Sequence, residues 1–270
     1  MPRIATLLLL LLASAAAVSA GGCLDASTRK KVSENGILAL IAPPSPAEAA
    51  RMMADPFDAD KRYKGVTWIS NAPWGGADVY MRVYREMVAN ENEDAGVRAV
   101  AARALAFHGT PEDALLLVPL LKHDDMRVRQ TTTRALQRLH NPAVIPNLVP
   151  LVDDAHELDH DVRQAAASAL GQYADPRVLA ALIGALNDDD LAVSRTARES
   201  LRTLTGTDAG DEPKRWQDWA AATTAPFSGQ SKYLYPNFHR GQYFWEYIPF
   251  VPGPPNEASS TPVGFRPPGT

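Results

Sequence analysis

Cysteine is nearly absent from this chain: Cys23 is the only one in 270 residues. No intramolecular disulfide can form, and a zinc site built on cysteine pairs is excluded. A basic excess is missing too. The formal charge is −4, which gives no support for nucleic-acid binding, since that needs a basic face. Glycine-rich phosphate loops and the strained serine turn of hydrolases are lacking. The longest apolar run, IATLLLLLLASAAAV, has 15 residues, short of the roughly 20 that a membrane-spanning helix needs.

What is present begins with that run. A short basic start, MPR, followed by an apolar stretch and small residues, reads as a secretory signal over residues 1–22. Two processing routes compete. VSA before Gly21 suits ordinary cleavage after Ala20. AGGC resembles a bacterial lipobox, in which Cys23 becomes the lipidated first residue; the position of the only cysteine favours this route. A retained anchor is the third alternative. Residues 23–44 then read as a linker. The expectation is an exported chain in the cell envelope, touching the membrane only through a lipid anchor.

One line recurs through the middle of the chain: DAGVRAVAARAL from Asp94, DMRVRQTTTRAL from Asp125, DHDVRQAAASAL from Asp159 and DLAVSRTARESL from Asp190. Within it, Val97, Ala101, Ala104 and Leu105 fall at i, i+4, i+7 and i+8, one apolar face of a helix. The repeat valines at 97, 128, 162 and 193 are 31, 34 and 31 residues apart. Six residues after the leucines of the first three copies stand Pro111, Pro142 and Pro176, each suited to the first turn of a second helix. Those second helices read ALLLVPLL, VIPNLVPLV and VLAALIGAL. Pro119, Pro146 and Pro150 predict kinks or short helices in the first two.

The line weakens outward. Asp58, Arg62 and Ile69 lie 36 residues before Asp94, Arg98 and Leu105. The second-helix core position held by Leu120, Leu151 and Ala185 falls on Trp216 in the last copy. The expected fold is therefore all-α, an α-solenoid of about five helical hairpins over residues 45–222. Clear repeats span 94–205, and degenerate caps lie on either side. SPAE at 45–48 reads as a helix start, with Ser45 as N-cap and Pro46 in the first turn.

The Asp-x-x-Val-Arg-x-x-Ala-x-x-Ala-Leu line with its proline turn resembles the bacterial HEAT-repeat proteins, including the short type known from phycobilisome lyases. RWQDW is similar to their closing helix. The resemblance implies an α-solenoid acting as a binding scaffold and implies little about chemistry. The export signal and the lack of a convergent polar constellation in the sequence add the expectation of a non-enzymatic scaffold that binds a protein or peptide, with no cofactor. The alternatives are an enzyme of the lyase type on the same scaffold, and a self-assembling structural protein of the envelope. Asp58, Asp94, Asp125, Asp159 and Asp190 each begin a helix as its cap. Arg62, Arg98, Arg129 and Arg163 recur once per repeat and are expected to bridge to a neighbour's aspartate; Ser194 interrupts the row. Acidic runs at 123–125, 152–154 and 187–190 suit helix N-termini.

HELDH, residues 156–160, matches the zinc-protease pattern H-E-x-x-H, which works only where both histidines share one helix face. The repeat phase makes Asp159 a cap and leaves His156 and Glu157 in a connection, so no catalytic or metal residue is assigned. A diiron site, which would need such steps on several repeats, finds only this one. The remaining histidines fall in turns and the tail.

From residue 223 to 270 the pattern stops, yet half of the aromatic residues lie there. Disordered tails are normally poor in aromatics. The segment is expected either to pack back along the solenoid or to bind a partner, with Tyr243, Phe244, Trp245 and Tyr247 as the candidate contact residues. QYFWEYIPF is compatible with a short extended stretch, and residues 253–270 are expected to be mobile from their Pro, Gly and Ser content.

Overall fold

The five aspartates decide where the principal helices start. Asp58 accepts the Lys61 N–H at 3.0 Å, Asp94 those of Gly96 and Val97, Asp125 that of Arg127, Asp159 that of Val162, and Asp190 those of Ala192 and Val193. Each such cap contributes about 1 kcal/mol. The computed structural model describes residues 44–237, 240–247 and 256–266, and the side chain of Trp245 is not among them. The signal segment 1–22, Cys23 and the expected linker up to residue 43 lie outside the described residues.

Among the described residues there are eleven α-helices. Helix α1 (Pro46–Met53) begins at the proline expected to open it and packs on α2 (Ala59–Ser70). Five pairs follow: α2 with α3 (Asp78–Ala89), α4 (Ala95–His108) with α5 (Asp113–Leu117), α6 (Met126–Leu136) with α7 (Ile145–Leu148), α8 (His160–Leu170) with α9 (Pro176–Ala185), and α10 (Leu191–Thr205) with α11 (Pro213–Ala222). The first helix of each pair packs on the first helix of the next, which is the stacking of an α-solenoid.

The proline expectation is met in detail. Helix α5 gives way to 3₁₀ turns over Val118–Lys122, and α7 is a single turn between 3₁₀ stretches Pro142–Val144 and Val149–Val152. Each interior proline removes one N–H from the i→i−4 ladder and crowds the preceding turn. Helix α9 has proline only at its start and runs unbroken.

The repeat line is the core. Val97, Val128, Val162 and Val193, together with Leu105, Leu136, Leu170 and Leu201, are all fully buried or within a percent of it. The position four after each valine is Ala101, Ala166 or Ala197 in three repeats and Thr132 in one. Thr132 is fully buried, and its hydroxyl finds no hydrogen-bond partner among the described residues. A buried unpaired hydroxyl carries a desolvation cost. Thr132→Val, which keeps the shape and removes the hydroxyl, is expected to raise stability by about 1 kcal/mol in urea denaturation. No gain would mean that the hydroxyl is satisfied in solution.

The tail departs from two expectations. Residues 256–266, expected to be mobile, are docked: the Val263 N–H donates to the Arg138 carbonyl, and the His140 N–H returns a bond to Val263 at 2.9 Å. Gly264 has φ +85° and lies so close to Pro111 that a Cβ would stand 2.5 Å from its ring. The glycine therefore serves close approach rather than freedom. In the aromatic stretch, Phe244–Tyr247 forms one 3₁₀ turn instead of an extended strand. Glu246 explains it by accepting both the Tyr243 N–H and the Arg240 guanidinium, which folds the segment on itself.

Candidate functional site

Two edges of the stack carry the polar chemistry. The first lies at the turns that lead into each repeat's first helix, where the recurring arginines sit. Arg62 donates to Glu93 at 2.6 Å, Arg129 grips both oxygens of Glu157 at 2.7 and 2.8 Å, and Arg163 both oxygens of Asp188 at 2.6 and 3.0 Å. The expected partners, the cap aspartates of the neighbours, are not the ones used. Their carboxylates are already engaged by their own helix N–H groups. The arginines reach instead the acidic residue one or two places earlier.

That residue has a second task. Glu93 accepts the Asp94 N–H, Glu157 the Asp159 N–H and Asp188 the Asp190 N–H. Each guanidinium also donates to its own entry turn: Arg62 to the Asp55 carbonyl, Arg129 to those of His123 and Asp124, and Arg163 to those of Glu157 and Leu158. Every rung thus staples one turn to the next. Burial pushes the Asp188 carboxyl up, but the Arg163 guanidinium and the Asp190 N–H outweigh it and hold it below its ordinary value. Arg98 is the exception, donating to the Val88 carbonyl. The ladder position after it is His123, whose Nδ1 accepts the Asp125 N–H in place of a carboxylate.

HELDH acquires a structural reading here. Glu157 is 3% exposed and committed to Arg129 and Asp159, whereas His156 lies in the preceding turn beside Asp153 and His160 opens α8 on the solvent side. The glutamate belongs to the ladder. Sequence reasoning missed it, although an acidic residue four or five places before the repeat valine recurs as Glu93, Glu157 and Asp188 and was available as a signal. Among the described residues, no group of three or more His, Cys, Asp or Glu side chains is placed to hold a metal ion.

The second edge lies at the turns between paired helices, where the tail binds. Its outgoing arm places the Ser231 N–H on the Thr203 carbonyl and buries Tyr233, whose hydroxyl donates to the Ser168 carbonyl at 2.9 Å. Tyr235 lies over the Arg138 guanidinium at 4.4 Å. The returning arm pairs Glu257 with Arg138, and Phe265 packs edge-on against His140. Burial in this edge lowers the His140 pKa, against the opposing effect of its hydrogen bond with Gln172.

The two arms are tied together. The Tyr235 N–H donates to Ser260, Asn237 to the Glu257 carbonyl, and Arg240 and Asn256 exchange hydrogen bonds. Beyond that last tie lies the aromatic turn. Arg240 neutralises Glu246, holding its carboxyl below the usual range, and lies 4.2 Å over the Tyr243 ring. Phe244 is 84% and Tyr247 71% exposed. Of the four candidate contact residues, Tyr243, Phe244 and Tyr247 therefore share one turn; the Trp245 side chain lies outside the described residues.

This architecture is an α-solenoid of stacked helical hairpins. The family model described as HEAT repeats matches residues 86–159 and 155–212, the segment that carries the four clear copies of the line. Among solved structures, the chain is similar to that of YibA from Escherichia coli. The two are 19% identical, with a TM-score of 0.51, over 73% of this chain and 75% of that one. At this identity the likeness is one of fold. No curated protein matches the chain.

Proposed function

We propose that this protein is a non-enzymatic HEAT-repeat scaffold that holds a protein partner in the bacterial cell envelope, tethered there through a lipid on Cys23. The repeat fold supports an interaction role, since a stack of hairpins offers broad surfaces. The observation that carries the reading is the aromatic turn. Phe244 and Tyr247 stand in solvent on a turn whose only carboxylate is neutralised from within and whose stem is fastened to the solenoid. Large exposed aromatics held in place suit protein contact, because little conformational freedom remains to be lost on binding. The signal-like segment and AGGC support the location.

The test is photo-crosslinking in the native host with p-benzoylphenylalanine at position 244, followed by intact-mass measurement of the product. The expected product joins this chain, beginning at Cys23 and carrying acyl mass, to a different protein. A product containing only copies of this chain would replace the reading with self-assembly. No product at all would remove the aromatic turn as a contact surface. A chain beginning at Gly21 without lipid would keep the scaffold and discard the tether.

A further inference from the structure

A groove of about 730 Å³ runs between the 3₁₀ stretch Val149–Val152 and helix α9. Its walls are mostly apolar, with Val149 and Pro150 on one side and Ala181 and Gly184 on the other. The turn that carries Asp153 and Asp154 lines it, as does Asp188.

The charges at the two ends do not balance. Arg177, at the other end, is paired with Asp175 at 2.8 Å. Asp188 is committed to Arg163 and the Asp190 N–H. Asp153 and Asp154 are exposed at the mouth; Asp153 accepts the Ala155 N–H and lies 3.3 Å from His156, and Asp154 lies in the field of Arg163, which is already paired with Asp188. The end that carries the aspartates is therefore net negative while the walls are mostly apolar.

Gly184 is the second, independent observation. It lies within α9, where glycine costs helix stability relative to alanine. A Cβ built there would meet nothing within 4 Å. Packing does not call for a glycine at this position, so the residue leaves this wall of the groove bare at the expense of the helix.

We propose that this groove takes a lysine- or arginine-bearing segment of a partner protein, its aliphatic stem lying on Gly184 and Ala181 and its cation between Asp153 and Asp154. Long basic side chains match both features at once, since their methylene stems cover apolar surface while the charged head stays among polar groups. The inference rests on the scaffold reading and supplies a chemistry for its partner at a surface other than the aromatic turn.

Fluorescence anisotropy on the full-length chain tests it with two labelled hexapeptides, one carrying a central lysine between leucines and the other glutamate at that place. The lysine peptide is expected to bind at least about ten-fold more tightly than the glutamate peptide. It should lose at least about ten-fold in affinity on Gly184→Leu and on Asp153→Asn with Asp154→Asn. Leucine at 184 projects into open space and favours the helix, so its thermal midpoint should not fall; asparagine keeps the turn's hydrogen bond to Ala155. Equal binding of both peptides, undiminished binding to both variants, or no saturable binding to the wild type would each overturn the groove assignment. If the groove fails while the position-244 crosslink captures a partner, the scaffold reading stands. If peptide binding follows the groove variants and no crosslink forms, the aromatic turn falls and the groove stands.

Discussion

Glu157→Ala is expected to destabilise the protein by about 3 kcal/mol, while His156→Ala, one residue away, changes stability by less than about 0.5 kcal/mol. The difference follows from what each side chain touches. Glu157 is almost wholly buried, and its loss would leave the Arg129 guanidinium hydrogen-bonded only to the carbonyls of its entry turn, with Asp125 and Asp159 as more distant counter-charges. Removing one partner of a buried pair costs far more than the pair's net worth, because the remaining charge stays desolvated. Urea denaturation of the two variants measures it. Equal midpoints would show that the rung contributes nothing. Glu157→Asp should recover part of the loss, since Asp188 performs the same task one repeat later with the shorter side chain.

The Asp188 rung adds a pH signature with a definite sign. The folded-state carboxyl is held below its unfolded value. Its contribution is therefore complete above the unfolded carboxylate range and is lost as the pH falls through the depressed folded value. Acid weakens this rung, and alkaline titration of carboxylates cannot, because they are already ionised. Asp188→Asn should accordingly flatten the acid limb of the stability profile.

Leu170→Ala is the second large effect, expected to cost 2–5 kcal/mol by roughly the usual measure for a fully buried leucine. Leu170 closes α8, the first helix of the fourth repeat, and α8 packs against both α6 and α10. Truncation thus opens a cavity between repeats and not at an end where the stack can relax. Thermal unfolding with and without the change reads the loss. A cost under about 1 kcal/mol would mean that the neighbouring helices slide together and fill the space.

Much of the fold could be read from four lines of sequence. The phase of Asp94, Val97 and Leu105 fixed the caps and the core. Pro119, Pro146 and Pro150 indicated which second helices would break. The pairing of the arginines was less accessible, because helix periodicity says which residues share a face of one helix and nothing about which carboxylate across a repeat boundary lies in reach. Reach across the repeat boundary settled it: the carboxylates of Glu157 and Asp188, two places before the caps, lie within hydrogen-bond distance of Arg129 and Arg163. Helix α3 was similarly hard to see. Its buried Met81, Tyr84 and Met87 share no residue types with the leucine-rich second helices elsewhere. The docking of residues 256–266 was least legible of all, since Gly264 and its neighbours look like a linker until Pro111 and His140 are placed beside them.

The strap formed by the tail changes how the molecule comes apart. A plain stack of repeats interacts only with its neighbours and can fray one unit at a time from either end. Here Tyr233 reaches a carbonyl 65 residues away, and Glu257 an arginine 119 residues away. Opening the last hairpin requires releasing contacts to α8 and to the turn after α6, so the C-terminal three repeats melt as one cooperative block. The same contacts span 65 and 119 residues, which leaves nucleation to contacts within and between neighbouring repeats and the strap to seal a structure already standing.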